Sequence, residues 1–177
     1  LQGRIVAVQP ALVATAPQEI DAAGHLVSPP FVDAHFHMDS TLSHGQPRIN
    51  QSGTLLEGIA LWGELKPHLT QDAIIERALR YCDWAVAKGL LAIRAHVDIC
   101  DPRLLATEAL LHVRQRVRPY LDLQLVAFPQ DGLLRSPQAL GQLRRALDMG
   151  VDVVGGIPHF ERTMAEGAES VRILCEL

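Results

Sequence analysis

The stretch Phe31-Val32-Asp33-Ala34-His35-Phe36-His37-Met38-Asp39 decides the fold. It reads as a buried β-strand that ends in His-x-His and is entered through Pro29-Pro30. Side chains alternate across a strand, so His35 and His37 share one face and Phe36 takes the other. Two neutral imidazoles at that spacing can fill adjacent corners of a metal's coordination shell. The same spacing also serves as the half-exposed polar face of an ordinary strand, and spacing alone leaves the two readings level. The apolar neighbours Phe31, Val32, Ala34 and Phe36 favour a site, because parallel barrels carry their chemistry at the ends of otherwise buried strands.

Outward from this strand the chain alternates in type. A loop rich in Ser, Thr, Gly and Pro covers 40–53, long enough to expect a functional segment. Helices are expected over 54–64, 71–88, 104–117 and 138–149, with a last one from Ala165 to Leu177. Thr70 caps the second of these and Gly89 ends it, with Ile75, Leu79, Cys82 and Val86 on one face. Ala106, Leu110, Val113 and Val117 align on the third, and Leu140, Leu143 and Leu147 on the fourth. Strands are expected over 90–97, 121–128 and 151–157. Beyond position 90 the strands recur about every 30 residues, the size of a βα unit.

That alternation implies a parallel sheet with helices outside. No Gly-x-Gly-x-x-Gly follows the first strand, which weakens an open dinucleotide-binding sheet. Polar residues at the strand ends, His35/His37, His96/Asp98, Gln130/Asp131 and His159/Glu161, would converge on one rim. The fold class expected is therefore α/β, a partial TIM (β/α)8 barrel of about four βα units. Residues 1–28 read as short strands (Arg4–Val8, Glu19–Asp21, Leu26-Val27), too little to fold alone. They are assigned to a composite β-sandwich domain, and 29–177 to the barrel's truncated first half. The chain opens at Leu1 directly into a strand pattern and stops inside a helical one, so it reads as a segment of a longer protein.

Bulk properties exclude several classes. The 177 residues are 48% hydrophobic, enough for a real core and too apolar for disorder. The net charge of −4 comes with no basic stripe, which argues against nucleic acid. No apolar run approaches the ~20 residues that cross a bilayer. Cys82, Cys100 and Cys175 are scattered and odd in number, which suggests free thiols and a cytoplasmic setting.

Taken with their order, several stretches resemble the amidohydrolase superfamily, and within it the cytosine deaminase family. They are the His-x-His strand, Gly45-Gln46-Pro47, Asn50-Gln51-Ser52-Gly53-Thr54-Leu55-Leu56-Glu57-Gly58-Ile59 and Arg94-Ala95-His96-Val97-Asp98. Asp122–Gly132, with Phe128-Pro129-Gln130, and Asp152–Glu161, with Ile157-Pro158-His159-Phe160-Glu161, complete the set. The resemblance implies a distorted barrel with one divalent metal ion, iron or zinc. It implies hydrolysis of cytosine to uracil and ammonia, and a small nucleobase-like substrate. His35 and His37 match the family's first two metal ligands, and Gln130 the glutamine that holds the pyrimidine by its amide edge. Phe128 and Leu55 match apolar residues near the ring. The remaining metal-binding His and Asp, the catalytic Glu and a second active-site His are expected beyond Leu177. On that reading no catalytic group lies within this segment, and the segment alone is inactive. A homo-oligomer is expected of the complete protein. Met38-Asp39-Ser40-Thr41 and Ser43-His44 depart from the family in detail and could alter substrate fit.

His96 and Asp98, at a strand end, and His159 could orient ligands or substrate, or simply satisfy structural hydrogen bonds. Trp62 and Trp84 read as packing, and His25, His44, His68 and His112 as surface. His159-Phe160-Glu161 matches half of the His/Cys/Cys zinc deaminase signature, but no Pro-Cys-x-x-Cys follows. Two alternatives stay open. One is the same chemistry on isoguanine, a triazine, a creatinine-like ring or a pterin. The other is a non-enzymatic remnant.

Overall fold

The computed structural model describes residues 4–177. Four strands alternate with helices. They are β1 (Phe31–Phe36), α1 (Leu55–Leu65), α2 (Gln71–Ala87), β2 (Leu90–Asp98), α3 (Leu105–Val117), β3 (Asp122–Phe128), α4 (Ala139–Asp148), β4 (Val153–Val154) and α5 (Met164–Cys175). The sheet is parallel throughout, in the order β1-β2-β3-β4. Such strands need crossovers, and α2, α3 and α4 supply them on one face. That face carries the core. Ile93, Ala95 and Val97 of β2 and Leu123, Leu125 and Ala127 of β3 meet Ile74, Cys82, Leu110, Val113 and Leu143, all buried. The opposite face of the sheet bears Arg94, Gln124 and the site residues.

The helix boundaries follow their chemistry. Thr54, Thr70 and Thr163 each accept a backbone N–H three residues on, capping α1, α2 and α5. Gly89 follows α2 at φ +80°, where other residues strain, and closes the helix onto β2. On α3 the expected apolar stripe is fully buried. On α2 the most buried line is Ile74, Ala78, Cys82 and Ala85, one residue round from the expected face, with Ile75, Leu79 and Val86 flanking it.

Three expectations are corrected. Residues 4–30 form no strand, and Ile5, Val8, Ile20 and Leu26 are exposed. An extended segment gains nothing from a strand pattern unless a neighbouring strand accepts its hydrogen bonds, and none lies beside it among the described residues. Leu1–Gly3 of that expected β-piece lie outside the described residues. Second, β1 is an edge strand and not a buried one, with Phe31 66% and Val32 68% exposed. Third, β4 is regular over only two residues, although Asp152 N and Gly155 N still bond to Leu125 O and Ala127 O and extend the pairing. Gly155 is required there, because a Cβ would lie 2.6 Å from Val126 Cγ1 and 3.0 Å from Ala127 O. No helix among the described residues is long and apolar enough to cross a membrane.

Candidate functional site

The register of β1 against β2 shifts twice, between Phe31 and Val32 and between Asp33 and Phe36. Such irregularities re-aim side chains at strand ends. Phe36 turns outward and stacks on Tyr81 of α2 at 4.2 Å between ring centroids. His35 and His37 turn inward as the spacing predicted. There they meet His96 of β2, with centroid distances of 5.4 Å for His35–His37, 4.0 Å for His35–His96 and 5.6 Å for His37–His96. Phe128, the last residue of β3, sets its ring edge-on to His37 at 5.5 Å and to His96 at 5.3 Å. Three strands thus deliver a His/His/His/Phe cluster to one rim.

Burial first, then the facing imidazoles of His35 and His37, push His96 down to about 4. Burial and His35 likewise lower His37. Both rings are therefore held neutral near physiological pH, the form that binds a metal. The Nδ1 of His96 is buried without a hydrogen-bond partner. An orphaned ring nitrogen among neutral imidazoles suits a cation and its coordinated ligands. Among the described residues no group of three or more His, Cys, Asp or Glu encloses an ion. Of the three imidazoles, His35 and His37 are the pair whose spacing could hold an ion.

Beside it lies a cavity of about 190 Å³, lined by His37, Asp39, Ser40, Leu55, Ile59, Trp62 and Gln130, with Gly58 at its wall. It is smaller than the ~300–1,000 Å³ of an ordinary ligand pocket, so only a small ring fits. Gln130 offers both a donor and an acceptor, and Leu55 and Ile59 of α1 offer an apolar flank. Their helix is set by the loop before it. The Glu57 carboxylate accepts from Gln51 N, Ser52 N, Ser52 Oγ and Arg48. Those bonds hold Glu57 down to about 2. The 40–53 loop is thereby stapled to the first turn of α1.

Two acids and a lysine lie under the rim. Asp39 is buried, with Oδ2 accepting from Asp98 N at 2.9 Å and Oδ1 from Ser40 N at 2.9 Å. Burial pushes its carboxyl up to about 7. It ties the end of β1 to the end of β2 and is no mere loop variation. Asp98 accepts from Trp62 Nε1 at 2.7 Å, Lys66 Nζ at 2.7 Å and Cys100 N at 2.7 Å. Trp62 is thus both packing and a hydrogen-bond donor. Lys66 was missed because an isolated lysine after a helix carries no motif. Its Leu-Lys-Pro setting at a helix end was the one available signal.

His159 is not brought to this cluster. It sits exposed in a short 3-10 turn, Pro158–Phe160, beside Met164, Gly167, Ala168 and Val171. Glu161 instead accepts from Leu133 N and Leu134 N at 2.6 Å and 3.2 Å and secures the loop that follows Gln130. A larger hollow of about 400 Å³ opens at the other end of the strands. Its polar groups are mutually satisfied, Arg94 by Gln124 at 2.6 Å and Asp152 by Arg114 at 2.7 Å. It gathers no comparable cluster. His25, His44, His68 and His112 are exposed, as expected.

Residues 18–172 match the model of the amidohydrolase family. The structure of 5-methylcytosine deaminase from Klebsiella pneumoniae liganded with phosphonocytosine superposes with a TM-score of 0.88 and 44% identity, covering 95% of this chain and 41% of that one. N-isopropylammelide isopropyl amidohydrolase from Pseudomonas sp. (strain ADP) is 33% identical over 171 residues, 93% of this chain and 42% of that protein. N-isopropylammelide isopropylaminohydrolase from Burkholderia multivorans superposes with a TM-score of 0.67 at 27% identity, covering 84% and 37%. The chain therefore spans about two fifths of the length of the relatives it matches.

Proposed function

Since the chain belongs to the amidohydrolase family, we propose that the complete protein hydrolyses the exocyclic C–N bond of cytosine or a close aminopyrimidine, releasing ammonia and the corresponding oxo-pyrimidine, which for cytosine is uracil. The observation that carries this reading is the placement of Gln130 in the same small cavity as His37. Hydrolases of this family are typically metal-dependent. In this reading His35 and His37 hold one divalent ion, iron or zinc. Such an ion supplies the Lewis acidity that makes hydroxide available near neutral pH.

The chain's own residues do the rest of the work assigned to this segment. Gln130 pairs with the amide edge of the ring, and its two-sided hydrogen bonding fixes which ring carbon faces the histidines. Phe128 packs its ring against His37 and His96 and holds them in place beside the pocket, and Leu55 and Ile59 give the ring an apolar side to lie against. The proton shuttle and the rest of the metal's shell belong to segments that the longer relatives possess. Residues 29–177 form the first half of the barrel, and 1–28 contribute to a small β-domain once strands from elsewhere in the complete protein accept their hydrogen bonds.

A second reading has support of its own. Two of the relatives act on N-isopropylammelide, a triazine. Steady-state kinetics on the complete protein with cytosine, isoguanine and N-isopropylammelide decide between them. The highest kcat/KM is expected on cytosine, and a higher value on the triazine overturns the cytosine assignment.

A further inference from the structure

The candidate cavity is built from three separate pieces of chain: the turn after β1, helix α1, and Gln130 in the turn after β3. Helix α1 is weakly seated. Only Leu61 and Leu65 are buried, and Leu55 and Leu56 are 75% and 72% exposed. Little apolar packing therefore sets the distance between α1 and Gln130. One cation does. Lys66, at the C-terminal cap of α1, places Nζ 2.7 Å from Asp98 Oδ2 and 2.8 Å from Asp131 Oδ2. Asp98 is the last residue of β2 and Asp131 is the neighbour of Gln130 in the chain. Arg103 adds a bond to the Lys66 carbonyl at 2.9 Å.

We propose that Lys66 is a positioning residue for the substrate pocket: it sets the spacing between Trp62 on α1 and Gln130 after β3 by clasping Asp98 and Asp131. This inference rests on the functional reading above. Lys66 and Asp98 are only 13% and 3% exposed, whereas Asp131 is 47% exposed. The Asp98 leg is thus withdrawn from water and constant, and the Asp131 leg sits at the surface. A buried ion pair returns little more than its desolvation cost, so its contribution is geometric rather than a large gain in stability. Burial alone would depress the Lys66 ammonium, but the two carboxylates outweigh it and raise it, so the clasp stays charged. Trp62 Nε1 donates to the same Asp98 oxygen that Lys66 holds, which couples the indole's orientation to the clasp.

The test uses Lys66→Met and Asp131→Asn in the complete protein. Each is expected to raise KM for cytosine about tenfold, with kcat within about threefold and metal content unchanged. Amide exchange in residues 130–132 is expected to quicken about tenfold while that of α3 stays protected. Unchanged KM in both variants overturns the proposal. Should Lys66→Met lose protection in α3 as well, Asp131→Asn, which keeps the Lys66–Asp98 pair, decides alone. Should the wild type fail to turn over cytosine, the functional reading falls by itself. Exchange in 130–132 then decides the clasp, faster exchange upholding it and unchanged exchange overturning it.

Discussion

The imidazole of His96 lies face to face with that of His35, their centroids 4.0 Å apart and their planes 21° from parallel, while His96 Nδ1 is buried and unpaired. That nitrogen finds no hydrogen-bond partner among the described residues. A buried polar atom left without a partner costs ~1–3 kcal/mol, a cost that the ion of the proposed function, or a group bound to it, would offset.

His35→Ala or His37→Ala in the complete protein is expected to remove most bound divalent metal, because a mononuclear site cannot easily spare a ligand. Elemental analysis after exhaustive dialysis measures it. Full occupancy in both variants would contradict the ligand assignment.

Gln130→Ala is expected to lower kcat/KM for cytosine by ~1–3 kcal/mol, the cost of stranding one polar edge of the substrate. Metal content should not change, since Gln130 lines the cavity and is not one of the clustered imidazoles. Kinetics identical to wild type would remove Gln130 from the pocket's function.

Gly155→Ala is expected to destabilise the fold by ~1–3 kcal/mol, because the new methyl meets the Ala127 carbonyl at 3.0 Å and Phe128 Cδ2 at 3.2 Å. Phe128 packs on His37 and His96, so the strain should also reach the rim. Chemical denaturation reads the first effect and KM the second. A variant as stable as wild type would show that β3 and β4 yield more readily than their close approach implies.

Glu57→Gln is expected to lower the melting temperature near neutral pH and to do so less as the pH falls. The Ser52 hydroxyl, the Ser52 and Gln51 amides and Arg48 hold the carboxyl down to about 2, against an ordinary value of 4.5. A depressed carboxyl stabilises the fold above its unfolded pKa, and that contribution fades as pH drops from about 4.5 towards about 2. Melting curves of both proteins across that window should converge at the acid end. A constant gap would place Glu57's contribution outside its charge.

Some of the site was readable from residues alone, and the reason is local. His35 and His37 face one way because a strand alternates, and the bulges in β1 displaced the register without undoing that relation. His96 and Asp98 followed from the end of an apolar run. His159 was grouped with them because a polar residue after a short apolar stretch suggests a strand end. Here β4 stops at Val154, and the Ile157-Pro158-His159-Phe160 turn carries the ring out to solvent. Lys66 could not be read, since its partners are 32 and 65 residues away and no periodicity links them.

The order of strands and helices, the buried faces of α3 and β3, and the shared face of the two histidines were determined by the sequence itself. Each follows from spacing within one element, which backbone geometry converts directly into direction. The stacking of His35 on His96, the burial of Asp39 and the clasp of Lys66 on Asp98 and Asp131 were decided only by tertiary structure. They depend on which strand ends meet and how far the register slips between them. That is set by packing of the helices against the sheet, a sum over contacts distant in the chain.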